Sequence, residues 1–293
     1  EAAEAWHYSA SAWSEVPDGA GADKARRAVR IIANLAEDAP DDRMTYTHAH
    51  ALCMEAMAWR NVPGGLGARN AATAAGQIEK LNKSTQPSVE LCYLYVQAKA
   101  AEAQAWATVE NGDGSEFAEA AAAHCLRYAA VFTEHENMAF QTALAVEGAV
   151  RAWSSRADKE SALKAQNLAN SGLTALAAFD GTPRVGGLLA MAKLHEAKAW
   201  ERLGYGVDVQ AAADDIWRIA NVLTRDRRVE YFAISARLLE VSVWAKPIDE
   251  ERTEKARKAH TRVADIAERW PGDQDFQSIW MTATRLIEPL RRV

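Results

Sequence analysis

The apolar positions of the chain recur with a period of about 47 residues, and the large ones among them mark it most plainly. Trp13, Trp59, Trp106, Trp153, Trp200 and Trp244 follow one another at intervals of 46, 47, 47, 47 and 44 residues. Eight places before each stands an alanine: Ala5, Ala51, Ala98, Ala145, Ala192 and Ala236. Twelve places after each stands another: Ala25, Ala71, Ala118, Ala165, Ala212 and Ala256. Thirteen places before are Tyr46, Tyr93, Phe140 and Tyr231, with Gly187 in the fifth copy.

Polar breakers split every copy in two: Pro17-Asp18-Gly19, Pro63-Gly64-Gly65, Gly112-Asp113-Gly114, the stretch from Ser155 to Asp158, Gly204-Tyr205-Gly206 and Lys246-Pro247. Start signals precede most first helices: Asp41, Thr85 before Pro87, Thr133 with Glu136 as a capping box, Thr182 before Pro183, and Asp226. The pattern predicts first helices near 2-15, 43-60, 87-109, 134-154, 183-203, 227-245 and 274-288. Second helices fall near 22-38, 68-83, 115-132, 158-178, 208-224 and 249-269. The last first helix has no mate, as a stacked array needs to cover its final apolar face.

Composition strengthens the helical reading. Of 293 residues, 62 are alanine against 16 glycines and 8 prolines, which excludes a β-rich fold. Alanine buries little area, so the ten tryptophans must supply much of the apolar bulk. One small residue on each helix of a pair lets neighbours approach toward the short end of the ~8–10 Å interaxial range.

These columns resemble the tetratricopeptide repeat family, whose helix pairs carry a small residue midway along the first helix and an alanine early in the second. The unit is longer than that family's usual ~34 residues. The resemblance implies an all-α, right-handed α-solenoid of six antiparallel hairpins plus a C-terminal capping helix, formed by residues 1-293 as one domain. It also implies that first helices line a concave surface that holds a protein or peptide partner.

Positions four, seven and eleven before the tryptophan share one side of the first helix. Position minus four holds Glu55, Glu102, Glu196 and Glu240; minus seven holds Lys99, Lys193 and Arg237; minus eleven offers His48, Tyr95 and Thr142. This ladder of His48, Glu55, Tyr95, Lys99, Glu102, Lys193, Glu196, Arg237 and Glu240 is the expected partner-binding set. Two other readings stand beside it: a solvated face of i,i+3 ion pairs, and pairing between adjacent repeats. Lys before Glu suits the helix dipole less well than the reverse, which argues slightly against the solvated face. The opposite side carries Tyr46, His50, Met57, Tyr93, Gln97, Gln104, Phe140, Leu144, Arg151, Met191, Lys198 and Tyr231. Its aromatic column is expected to pack on the second helices.

Charge and chemistry narrow the classes. A net charge of -6 with no long basic run argues against a general nucleic-acid or anionic-membrane binder. No apolar stretch is long enough to insert in a membrane. Cys53, Cys92 and Cys125 have no zinc spacing and read as small buried hydrophobes; no cofactor or metal is implied. His48 and His50 point to different sides of a helix, and His50 with Cys53 lacks a third ligand. Pro63 to Gly67 reads as a hairpin turn, and the acidic clusters at Asp38-Asp41-Asp42, Asp214-Asp215 and Asp249-Glu250-Glu251 read as helix-start carboxylates. The chain starts at Glu1 without methionine, so a processed or trimmed product is expected, and its compartment is left open with the cytoplasm favoured. The functional expectation is a non-catalytic scaffold for a protein or peptide, with self-association as an option. The competing class is an α/α-toroid enzyme of glycosidase or lyase type, using paired carboxylates as acid and base.

Overall fold

The computed structural model describes residues 2–38, 41–84, 88–246 and 249–291. Among them the chain is all-helical, with thirteen α-helices: α1 Ala2–Ser14, α2 Ala22–Asp38, α3 Asp42–Arg60, α4 Gly64–Ser84, α5 Val89–Trp106, α6 Ser115–Ala129, α7 Glu136–Ser154, α8 Lys159–Ala175, α9 Pro183–Leu203, α10 Gly206–Val222, α11 Arg227–Trp244, α12 Glu250–Ala267 and α13 Gln274–Ile287. The starts of many follow from short acidic or hydroxyl caps. Asp41, Asp158, Asp226 and Asp249 accept hydrogen bonds from the backbone N–H three residues on, and Asp273 from the one two residues on.

Three expected starts differ. Helix α4 begins at Gly64 rather than near 68, because Gly64 itself takes the positive φ of +77° and the glycines after it continue as helix. Ser88 caps α5, with its hydroxyl accepting from the Leu91 N–H; Thr85 and Pro87 lie outside the described residues, as does Pro247. Helix α7 opens at Glu136, so Thr133 lies in the preceding turn and forms no capping box.

The described residues group into two compact units, Glu1–Ala152 and Trp153–Val293. In the first, α1, α3 and α5 pack side by side, while α2 and α4 lie between successive first helices and α6 packs on α5. Its core joins Ile32, Leu52, Ile78, Leu94 and Tyr95 to many alanines. In the second unit α9 and α11 are neighbours, α10 bridges them, α8 packs on α9, and α13 closes against α11 and α12. The face of α13 that docks carries Phe276, Ala283 and Ile287, all buried.

The repeat columns explain this order. All six alanines twelve places after the tryptophans are fully buried, as are five of the six that precede them. Ala5 is the exposed exception, on the helix that begins the first unit. In the first four copies a small residue also lies eight places after the tryptophan, where the second helix begins, while Asp208 and Arg252 stand there in the last two. A Cβ on Gly21 would sit 2.1 Å from the Trp13 carbonyl oxygen, on Gly67 2.6 Å from that of Trp59, and on Gly114 2.4 Å from that of Trp106. Glycine there lets the returning helix cross directly over the end of the outgoing one. The fourth copy has the small Ser161, buried at this position. Cys53, Cys92 and Cys125 are buried free thiols, and burial raises the pKa of each.

Candidate functional site

The charged ladder turns inward, toward the second helices. Glu55, Glu102, Glu196 and Glu240 are all buried, and so are Tyr95, Lys193 and Arg237. The Lys193 ammonium lies 2.9 Å from Glu196 on its own helix, 2.8 Å from Asp215 on α10, and 2.6 Å from the Asn170 amide oxygen on α8. Two carboxylates balance its charge and the Asn170 amide accepts its hydrogen bond, which is how a charge only 2% exposed is compensated. Arg237 repeats the scheme one copy later, reaching Glu240 at 2.7 Å and Asp214 on α10 at 2.5 Å; Arg262 on α12 approaches the same Asp214 oxygen. In the first unit Lys99 pairs with Glu102 at 2.6 Å. Glu55 takes Arg26 from α2 at 2.8 Å and the Trp59 indole N–H at 3.2 Å.

Burial raises the carboxyl pKa of Glu102, Glu196 and Glu240, and the adjacent Lys99, Lys193 and Arg237 oppose that rise. Asp214 and Asp215 lie in the middle of α10 and not at its start, so they are the outer partners of these buried cations and not dipole carboxylates. His48, the remaining ladder residue, is half-buried; burial lowers its pKa and Glu37 opposes that.

On the second-helix side the ladder reaches the surface in two clefts. One, about 680 Å³, lies between α4, α5 and α6 and is lined by Glu79, Lys83, Tyr95, His124, Tyr128 and Phe132 among others. At its floor the Tyr95 hydroxyl and His124 Nδ1 are 2.8 Å apart. Burial, then Lys99 and Arg127, lower the His124 pKa. The other, about 210 Å³, is framed by Asp214, Trp217, Arg237, Arg262 and Asp265.

The side opposite the ladder faces away from the second helices, contrary to the packing expected for its aromatic column. Lys193 and Arg237 find acceptors on α10, and Glu55 takes its cation from α2, which turns the ladder side of α9, α11 and α3 toward the second helices. Tyr46 is 42% exposed. It lines a cleft of about 470 Å³ formed by the opening turns of α5 and α7, together with Val89, Glu90, Tyr93, Glu134, His135, Glu136, Asn137 and Met138. Three carboxylates and two phenols converge, and no Lys or Arg stands among the described lining residues. The Glu90 carboxyl is held below the usual range by its own backbone N–H and the Ser88 hydroxyl.

Farther along this face, Gln97 Nε2 meets the Met57 sulfur at 3.5 Å. Gln104 donates to the Leu144 carbonyl at 2.6 Å and to Glu147 at 2.7 Å, and accepts from Arg151 at 2.7 Å. His7 of α1 and His50 of α3 approach within 2.7 Å. Burial lowers the pKa of both.

Among the described residues no three or more His, Cys, Asp or Glu side chains converge as metal ligands, and no helix is long and apolar enough to cross a membrane. No family model, curated protein or solved structure matches the chain.

Proposed function

We propose that the chain is a non-catalytic helical-repeat scaffold that binds an extended, basic peptide or protein segment along the first-helix face of residues 1–152. The observation that carries this is the cleft at the opening turns of α5 and α7. Tyr46 and Tyr93 offer aromatic surface there, and Glu90, Glu134 and Glu136 supply negative charge. Tyrosine faces and carboxylates together suit a lysine or arginine side chain, which gains cation–π and charge-assisted contacts. The half-buried Gln97 and Arg151 side chains along the same helices offer polar contacts to a backbone laid across them. With this reading goes the tetratricopeptide-like arrangement of six right-handed hairpins capped by α13. The ladder residues His48, Glu55, Tyr95, Lys99, Glu102, Lys193, Glu196, Arg237 and Glu240 then serve binding indirectly, by setting how first helices present the opposite face.

Selection of a random peptide library on the intact chain tests the proposal. Enriched peptides should carry Lys or Arg, and their binding should fall tenfold or more with Tyr93→Ala, roughly the loss of one anchoring side chain. Enrichment of acidic peptides, or binding indifferent to Tyr46→Ala and Tyr93→Ala, would contradict it.

A further inference from the structure

The imidazoles of His7 and His50 come from different helices, and they meet in a geometry that a hydrogen bond alone does not favour. Their nitrogens, Nε2 of His7 and Nδ1 of His50, are 2.7 Å apart, and the ring centres are 4.4 Å apart at an interplanar angle of 77°. A ring nitrogen lies about 1.15 Å from its ring centre, so a straight N–H···N bond of this length would separate the centres by about 5 Å, and straight is the preferred form. The shorter separation means that at least one ring is tilted off the N···N line, and an equal tilt of both rings would aim the two nitrogens at a common point beside the contact.

An equal tilt of both rings is the arrangement of two cis ligands of one metal ion. With metal–nitrogen distances of about 2.0–2.1 Å and a right angle at the metal, the nitrogens stand about 2.9 Å apart and the ring centres about 4.5 Å. A tetrahedral angle would demand about 3.3 Å and 5.2 Å, much farther from what is found. Both rings are half-buried, which leaves one side open for water to complete the coordination. Glu4, one turn before His7, adds negative charge beside the pair and is itself held by Arg43.

We propose that His7 and His50 form a two-imidazole site for a divalent transition-metal cation of tetragonal preference, copper(II) or nickel(II) ahead of zinc, which ties α1 to α3 with water in the remaining positions. Nitrogen ligands at right angles suit those two ions, whereas zinc favours the tetrahedral angle. Among the described residues no third metal-ligating side chain joins the pair, so the site is an exchangeable clip and not a closed structural centre.

Copper(II) titration of the full chain, followed by electron paramagnetic resonance, tests the assignment. One equivalent should bind with a tetragonal spectrum showing coupling to two imidazole nitrogens. His7→Gln and His50→Gln should each weaken binding about tenfold or more, as expected when the second arm of a chelate is lost. His48→Gln, two residues from His50 on another side of α3, should leave it unchanged. Glutamine keeps a polar group at each site, and circular dichroism confirms that the helices persist. Coupling to a single nitrogen, or binding that survives both variants, would overturn the proposal, as would zinc binding more tightly than copper.

Discussion

The ammonium of Lys193 on α9 lies 2.8 Å from the carboxylate of Asp215 on α10, deep enough that Lys193 is 2% exposed. Its removal strands Glu196, which is fully buried beside it. Lys193→Ala is therefore expected to destabilise the chain by about 3–5 kcal/mol, measured by denaturant unfolding, because a buried carboxylate loses its counter-charge. Lys83→Ala breaks the exposed pair with Glu79 and should change stability by less than about 0.5 kcal/mol. Lys193→Glu and Arg237→Glu should unfold their surroundings outright, so charge reversal there reports on folding and not on partner contact.

Two glycines, Gly114 of the column behind the tryptophans and Gly76 within α4, predict substitutions of opposite sign. Gly114→Ala places a methyl 2.4 Å from the Trp106 backbone oxygen and should destabilise by about 1–3 kcal/mol, since backbone cannot give way. Gly76→Ala, inside α4 with nothing within 4 Å, should instead stabilise by about 0.5–1 kcal/mol through the helix preference of alanine. Thermal melting of the two variants against the parent checks both signs.

The His124 imidazole accepts from or donates to the Tyr95 hydroxyl and has a lowered pKa, caused first by burial and then by Lys99 and Arg127. A base with a lowered folded pKa binds fewer protons folded than unfolded between the two values. Its contribution is intact above the ordinary pKa of 6.5 and is lost as pH falls from there through the folded value. Glu79 raises the pKa and Lys83 lowers it, so both belong to the same balance. Glu102, Glu196 and Glu240, with raised pKa, act in the other direction, losing stability as pH rises from the ordinary 4.5 through their folded values. The His124 share is isolated by difference: His124→Gln should flatten the decline in melting temperature below pH 6.5. An unchanged slope would remove His124 from the account.

Much of the fold is legible in the chain because its architecture repeats. Six tryptophans and two alanine columns locate the helix pairs, and most predicted boundaries fall within a few residues of the observed ones. The glycine eight places after the tryptophan recurs only in the first three copies, at Gly21, Gly67 and Gly114, and each reads locally as turn punctuation and not as a close crossing. The site is harder. Lys193, Glu196, Arg237 and Glu240 carry the same letters whether solvated or buried, and only the acceptors on α8 and α10 reveal which. Asp214 and Asp215 read as start-of-helix carboxylates because their partners lie on other helices. The contact of His7 with His50 follows no column of the repeat, being 43 residues apart, and has no sequence signature.

The ladder's inward turn leaves the Tyr46 and Tyr93 side of the first helices as the face on offer, and this is the central claim. Backbone hydrogen–deuterium exchange of the intact chain, with and without a selected Lys- or Arg-bearing peptide, measures it directly. Added protection should fall on the opening turns of α3, α5 and α7, around Tyr46, Tyr93 and Met138. Protection on α4 and α6 around Lys83, His124 and Tyr128 would contradict the account and place binding on the second-helix side.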